Sequence, residues 1–284
     1  MWLIILALLY FIIQKKPAIF ASMLMKRNKS AYFIFFLFLF FIHAAGQQTE
    51  NGNTLKKIVI DAGHGGIDKG ASGSIAHEKD ITLKLALLTG RLIAEQMPEL
   101  ELIYTRKDDS FVPLHQRAQI ANDAQADLFI SIHCNAIAKP EFFGSETYVM
   151  GVHKTAENLE VAKAENAAIF LEDNFATSYD GFNPDVDEDY IMLTMIQHLN
   201  MDQSIAFSQL VQQRLKSTAG MYDRGVKQAG FVVLYLTTMP GALVETGFLS
   251  NTAEEKYLLD PDNQYKIAKA IADAVLIYSV SGVD

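Results

Sequence analysis

Hydrophobic residues along the chain form short continuous runs that alternate with segments of helical spacing. Continuous apolar residues within 56–61 and 127–133 predict buried strands, and 100–105 is typical of a further strand between them. Asp80 is a suitable N-cap for an intervening helix, and Pro113 opens a second one. The order strand, helix, strand, helix, strand is typical of an α/β sheet with right-handed crossovers.

The second half of the chain continues this alternation. A strand is predicted at 145–150, a helix from about 155 to 173, and a helix through Phe207, Val211 and Leu215. Apolar runs at 231–236 and 242–245 are joined by a Pro240-Gly241 turn, and a last helix follows. No internal repeat is visible. We therefore expect one α/β domain over 56–279, with a mixed, mostly parallel sheet of about six strands and helices on both faces.

The first 46 residues have a different composition. Two apolar runs, 1–13 and 32–42, flank a basic patch, and Ala44-Ala45-Gly46 supplies the small residues that a signal peptidase reads. Both runs are shorter than the ~20 residues that span a bilayer comfortably. We interpret 1–46 as a secretory signal whose true start is Met23 or Met25. The alternative is an uncleaved membrane anchor, in which case the chain would contact the membrane only through this segment.

Net charge and cysteine content limit which classes of function the chain can have. The net charge is -9, and it becomes -14 without residues 1–46, which contain five basic and no acidic residues. Such an acidic chain is a poor nucleic-acid binder, since nucleic acids require clustered Lys and Arg. The single cysteine, Cys134, excludes an intrachain disulfide, which is compatible with a bacterial envelope.

Candidate chemistry lies where predicted strands end. His64 follows the first strand within a glycine-rich loop, His133 ends the third strand, and Glu78 lies just before the first predicted helix. Sites in α/β sheets form just beyond the carboxyl ends of strands. Two histidines and an acid are a recurrent ligand set for catalytic zinc, because three ligands leave one position open. His77 is an alternative ligand beside Glu78.

Each of these residues has an ordinary structural interpretation when taken alone. A loop histidine, a hydrogen-bonded histidine at a strand end and an exposed acid before a helix are all common. Glu245 ends an apolar run, where it is either a salt-bridged acid or a general base tuned by burial and a nearby metal. On a strand, Cys134 points away from His133 and is best interpreted as a small buried residue.

Several ordered motifs resemble one family. The chain is similar to the zinc-dependent N-acetylmuramoyl-L-alanine amidases, also called amidase type 3, over roughly residues 58–278. The resemblance implies that His64, Glu78 and His133 hold Zn²⁺, that Glu245 is the catalytic acid/base, and that the substrate is the amide between N-acetylmuramic acid and L-alanine in peptidoglycan. It also implies a periplasmic or secreted enzyme of wall remodelling or daughter-cell separation. The matching segments are 60–66, Glu78, 105–106, Leu114, Arg117, 121–122, 127–133, Pro240 and 243–251.

The segment 175–200 resembles an insertion of division-associated family members, in which a helix covers the zinc until an activator protein displaces it. Here Glu188 and Asp189 precede an apolar stretch at 190–199. One hypothesis is a regulatory lid whose acid takes the open zinc position; the other is an acidic loop before an ordinary core helix. Arg106 and Arg117 are interpreted as structural. Two alternative functions stay open: a zinc amidohydrolase or peptidase of other specificity, and a non-catalytic wall-binding protein.

Overall fold

The computed structural model describes residues 55–173, 178–179, 181–190 and 200–281. The strands are β1 (Lys57–Ala62), β2 (Glu101–Tyr104), β3 (Leu128–Asn135), β4 (Ser145–Met150), β5 (Asp223–Ala229) and β6 (Gly241–Phe248). The helices are α1 (Glu78–Gln96), α2 (Leu114–Asp123), α3 (Ala156–Asn166), α4 (Met201–Ala219), α5 (Val232–Tyr235), α6 (Thr252–Leu259) and α7 (Pro261–Val280), and a 3-10 turn (Ala167–Leu171) follows α3.

The six strands form one mixed sheet in the order β2-β1-β3-β6-β4-β5. Every neighbouring pair is parallel except β4 and β6, which run antiparallel. The predicted fold class is therefore confirmed. The register of the central strands sets His133 of β3 opposite Glu245 of β6, and Glu245 opposite Glu146 of β4.

Both faces of the sheet are covered by helices, as expected. One apolar cluster joins the inward residues of β1 and β3 to α1, α4 and α7, through side chains such as Leu85, Phe207 and Ile271. A second cluster joins the opposite face to α2, α3 and α5, with Phe129, Tyr148 and Phe231 at its centre. The central strands are buried on both sides, which explains their continuous apolar runs.

Two elements differ from the sequence expectations. The edge strand β5 has the polar sequence DRGVKQA and is mostly half-buried, so it lacks the apolar signal that marked the inner strands. The predicted helix from 155 to 173 is divided, because α3 ends at Asn166 and tightens into the 3-10 turn. This division fixes the end of α3 beside the carboxyl edge of the sheet.

The N-terminal prediction lies outside the described residues, as does most of 190–199. Within the part of the chain that the structure describes, no helix combines the length and apolar character needed to cross a membrane.

Candidate metal centre

The loop after β1 delivers His64 to the carboxyl end of the sheet. His64 has a φ of 60°, and Gly65 and Gly66 also have positive φ, so the chain reverses tightly after the strand. Gly63 lies against the other histidine, since a Cβ there would be 2.4 Å from Cε1 of His133. The glycines therefore bring the backbone close enough for two imidazoles to face one another.

Glu78 is the first residue of α1 and is fully buried. Its Oε1 accepts a hydrogen bond from the backbone N–H of Cys134 at 2.8 Å, and its Oε2 accepts one from Ala71 at 2.8 Å. These bonds fix Oε1 beside His133, which is the neighbour of Cys134 on β3, and Oε2 beside His64. Backbone donors of this kind keep a carboxylate ionised in the interior.

The three predicted ligands meet at one point, and a second acid joins them as a fourth residue. Ligand atoms of His64, Glu78, His133 and Glu165 all lie within 4.8 Å of one another. Nε2 of His64 is 3.1 Å from Glu78 and 3.0 Å from Oε2 of Glu165. Nδ1 of His133 is 3.0 Å from Glu78 and 2.9 Å from the same Glu165 oxygen. Glu165 comes from α3, on the opposite side of the sheet from α1.

The donor group fits a metal ion. Nε2 of His64 and Oε2 of Glu165 are buried and lie close together, yet neither makes a hydrogen bond of normal geometry, although buried polar atoms are usually satisfied. The other ring nitrogen, Nδ1 of His64, contacts Oδ2 of Asp68 at 2.8 Å, and a carboxylate in this place orients the ring of a metal-binding histidine. Asp68 is itself fixed by the N–H of Gly70 at 3.0 Å. Two imidazoles and one or two carboxylates suit a divalent transition metal.

The electrostatics of the donor group also favour a cation. Burial opposes protonation of His133, but the charges of Glu165 and Glu78 outweigh it and raise the pKa of His133 to about 10. Burial likewise opposes ionisation of Glu78, yet the two histidines hold the pKa of Glu78 well below its usual value. The carboxylates thus stabilise positive charge at this point, and a bound metal supplies that charge directly.

Glu245 lies beside the donor group without belonging to it. It is fully buried on β6, and neither of its carboxylate oxygens has a hydrogen-bond partner. Burial and the nearby charge of Glu165 raise the pKa of Glu245 well above its ordinary value, although His133 opposes the shift. A carboxyl group in this environment is suited to exchanging a proton.

The site is closed in this structure. His64 and His133 are each only 6% exposed, and a space of about 10 Å³ remains beside them. The end of α3 is anchored by Asn166, whose side chain donates to the carbonyl of Gly230 and accepts from the N–H of Val232. Glu165 is consequently held over the two histidines.

Comparison with known proteins decides the family. The N-acetylmuramoyl-L-alanine amidase domain family, Amidase_3, matches residues 58–276. The chain belongs to this amidase family. It is 33% identical to the N-acetylmuramoyl-L-alanine amidase AmiC of Escherichia coli O6:H1 (strain CFT073) over 79% of this chain and 53% of AmiC. The chain thus spans about half the length of that curated relative.

Solved amidase structures share the fold. The catalytic domain of CwlV, an N-acetylmuramoyl-L-alanine amidase from Bacillus (Paenibacillus) polymyxa var. colistinus, has a TM-score of 0.58 and 31% identity, covering 79% of this chain and 98% of that one. The CwlD amidase of Clostridioides difficile, solved in complex with the GerS lipoprotein, has a TM-score of 0.56 and 27% identity, covering 78% and 98%.

Two buried arginines, Arg106 and Arg117, hold the loop that carries His64. Arg117 donates to Oδ1 of Asp61 and to the carbonyl of Ala62, each at 2.7 Å, and to the carbonyl of His64 at 2.7 Å. Arg106 donates to the carbonyls of Ala62 and Gly63. These contacts agree with the structural role predicted for both residues.

The remaining candidates lie elsewhere. Nδ1 of His77 contacts the hydroxyl of Ser72 at 2.9 Å, so its ring is used outside the donor group. Cys134 is buried, with its sulfur 3.2 Å from the hydroxyl of Thr246. Asp189 accepts from the N–H of Asn183, within its own turn. Neither Glu188 nor Asp189 belongs to the donor group.

Glu165 is the site residue that sequence reasoning missed. The hypothesis of an acid in the open metal position placed that acid at 188–189, whereas the carboxylate found there belongs to α3, upstream of 175–200. Its sequence, AENLEVAKAEN, contains three glutamates and reads as an ordinary surface helix. Only the fold shows which of them turns toward the histidines.

Proposed function

We propose that the chain is a zinc-dependent N-acetylmuramoyl-L-alanine amidase, which hydrolyses the amide between N-acetylmuramic acid and L-alanine in peptidoglycan. The observation that carries the proposal is the donor group of His64, Glu78 and His133 beside the unpartnered carboxyl of Glu245. Membership of the amidase family supports the substrate. The two-imidazole, one-carboxylate set supports zinc over harder ions such as Mg²⁺, which prefer oxygen ligands.

In this proposal His64, Glu78 and His133 hold the ion, and Glu165 vacates its place when substrate enters. When bound, zinc supplies Lewis acidity that polarises the scissile carbonyl and lowers the pKa of the attacking water. Asp68 keeps Nε2 of His64 directed at the ion, and the N–H groups of Ala71 and Cys134 hold the two carboxylate oxygens of Glu78 in place. The protein therefore presents a rigid, prearranged ligand set.

Glu245 moves the proton. Its carboxylate takes a proton from the attacking water and later delivers it to the nitrogen of the departing L-alanine, so the amide C–N bond breaks with a neutral amine as leaving group. Burial and the nearby charge of Glu165 raise the pKa of Glu245, which favours the proton-carrying form that the delivery step needs. No competing donor among the described residues occupies its oxygens.

The decisive experiment is digestion of purified peptidoglycan with the chain, with and without a chelator. We expect mass spectrometry to find peptides that begin with a free L-alanine amine, and we expect the chelator to stop their release. Glu245→Gln should retain one zinc ion per chain and lose turnover. Release of peptides cut at another bond would reassign the substrate, and unchanged turnover in Glu245→Gln would remove its catalytic role.

We further propose that α3 is an inhibitory element. Glu165 bridges both histidines at 2.9–3.0 Å, which closes the position that substrate would need. A partner protein that binds near α3 and the 175–200 segment would open the site. The complex of the related CwlD amidase with a lipoprotein is consistent with control by a partner. This control would suit an enzyme of daughter-cell separation, whose activity must be confined in time.

The same proposal places the mature chain in the bacterial periplasm or outside the cell, because peptidoglycan is found there. Residues 1–46 would act as the export signal, with Met23 or Met25 as the start. N-terminal sequencing of the exported protein tests this, since cleavage after Gly46 predicts Gln47 as the first residue, while an intact apolar segment would indicate an anchor.

A further inference from the structure

A second charged cluster lies two strands away from Glu245. Arg224 and Lys227 of the edge strand β5 share a single buried carboxylate, that of Glu146 on β4. Nε of Arg224 donates to Oε2 of Glu146 at 2.9 Å, and the ammonium of Lys227 contacts the same oxygen. The other oxygen accepts from Asn135 at 3.0 Å and from the hydroxyl of Tyr148 at 2.7 Å. Two cations facing one carboxylate leave one positive charge uncompensated.

The guanidinium of Arg224 is held in a fixed plane. It lies over the ring of Phe142 at 4.5 Å and over that of Phe248 at 5.2 Å, distances typical of cation–π contacts. Beyond the bond to Glu146, its Nη1 reaches the carbonyl of Phe143 at only 3.4 Å. The group is therefore oriented by its neighbours while much of its hydrogen-bonding capacity stays available.

These cations face an open groove of about 570 Å³. The side chains of Arg224 and Lys227 are 20% and 22% exposed, so both reach solvent in the groove. Lys154 and Glu157 also line the groove. Its charged lining therefore has three cations and two carboxylates, the second carboxylate being that of Glu146. On a chain with a net charge of -9, a positive groove beside the catalytic edge attracts acidic groups.

Sheet geometry gives the distance from the reacting centre. Glu146 is the register partner of Glu245, and β5 is the next strand beyond β4. Two strand spacings place the β5 cations about 10 Å from Glu245. An extended peptide advances ~3.3–3.6 Å per residue, so this distance corresponds to about three residues.

We propose that Arg224 and Lys227 form a subsite for a carboxylate of the substrate peptide, about three residues beyond the scissile amide. The inference rests on the proposed amidase function and adds specificity to it. A planar guanidinium with free N–H groups binds carboxylate through paired hydrogen bonds, and the adjacent ammonium adds charge. Glu146 holds the two cations in place and does not itself contact the peptide.

The test compares two muramoyl tripeptides that differ only in whether the carboxylates beyond the alanine are free or converted to amides. We expect the wild-type chain to prefer the free acid by about tenfold or more in kcat/KM. Arg224→Gln should bring the ratio close to one, mainly by raising KM for the acid, and Arg224→Lys should be intermediate. In Arg224→Gln, Glu146 still contacts Lys227, Asn135 and Tyr148, so the fold should persist.

Arg91→Gln is the matched control, because Arg91 is an exposed arginine on α1 that pairs only weakly with Glu95. It should keep the wild-type ratio. Calorimetry of both tripeptides with the Glu245→Gln chain measures the same preference without turnover. The subsite proposal is wrong if the wild type has equal kcat/KM for the two tripeptides, or if Arg224→Gln leaves the wild-type ratio of kcat/KM unchanged. If neither tripeptide is hydrolysed by the wild type or by Glu165→Ala, in which the closing contacts are removed, the amidase proposal fails, while the binding preference still decides the subsite.

Discussion

Two buried polar clusters lie at the carboxyl edge of the sheet, and they differ in how well their atoms are satisfied. Around Asp61, every side-chain oxygen is used: Oδ1 accepts from Arg117 at 2.7 Å and Thr105 at 2.6 Å, and Oδ2 accepts from Ser131 at 2.6 Å. Around Glu165, Nε2 of His64 and Oε2 of Glu165 make no hydrogen bond of normal geometry, and neither do the two carboxylate oxygens of Glu245. Asp61 is fully buried, and Glu165 is nearly so, with its side chain 11% exposed.

This difference indicates that the Asp61 cluster stabilises the fold, whereas the Glu165 cluster is suited to binding a ligand. A saturated network such as that of Asp61 stabilises one arrangement, here the end of β1 and the loop that presents His64. An unsatisfied network costs stability on its own. Such a network has room for an additional partner, and two imidazoles beside carboxylates favour a cation in that place. The Asp61 cluster therefore positions His64 within the cluster around Glu165.

The largest expected effect comes from removing a donor. Glu78→Gln should lose most of its bound metal. Its activity should fall by more than the roughly 10–100-fold that is typical when a residue hydrogen-bonded to a metal ligand is replaced. Elemental analysis and peptidoglycan digestion measure the two quantities. Glu172→Gln is the matched control, a buried acid that contacts His115 outside the donor group and should retain metal. Full metal content in Glu78→Gln would remove it from the ligand set.

Next in size is the loss of the Asp61 partner. Arg117→Met leaves the buried Asp61 charge without its cation, so the free energy of unfolding should fall by about 3–5 kcal/mol. Urea unfolding measures the change. Adding Asp61→Asn should recover part of the loss, because the uncompensated charge is then gone. A change below about 1 kcal/mol would show that the cluster is not structural.

A smaller effect, in the opposite direction, is expected from Glu165. Glu165→Ala removes the contacts to both histidines, and activity on peptidoglycan should rise about tenfold if those contacts favour closure by ~1.4 kcal/mol. Glu160→Ala on the exposed side of the same helix is the control and should behave as wild type. Reduced activity in Glu165→Ala would instead make it a working ligand.

The smallest effect concerns pH. Burial opposes ionisation of Asp61, but Arg117 and the two hydroxyl donors hold the pKa of Asp61 below its ordinary value. The stability that the ionised form contributes is therefore complete above pH ~3.9 and is lost as the pH falls through the lower folded-state value. Acid unfolding of wild type and Asp61→Asn should converge below pH ~3.9. A stability difference that grows toward acid would contradict this sign.

The sequence was sufficient for the fold class, and local signals together with the family resemblance were sufficient to predict that His64, Glu78 and His133 lie together. Continuous apolar runs marked the inner strands, and the rule that sites lie beyond strand ends brought His64 and His133 together. The edge strand β5 was missed because half-buried edges need not be apolar. Glu165 and Arg224 were missed for another reason: each acquires its role from a tertiary contact, and neither has a distinctive sequence neighbourhood.

The central claim is that two imidazoles and a carboxylate jointly bind one metal ion. Calorimetric titration of zinc into the metal-free chain tests it most directly. The account predicts one ion per chain, with protons released on binding because His133 is protonated at neutral pH in the metal-free state. Absence of saturable binding by the folded chain, or binding that persists unchanged in a chain carrying both His64→Ala and His133→Ala, would contradict it.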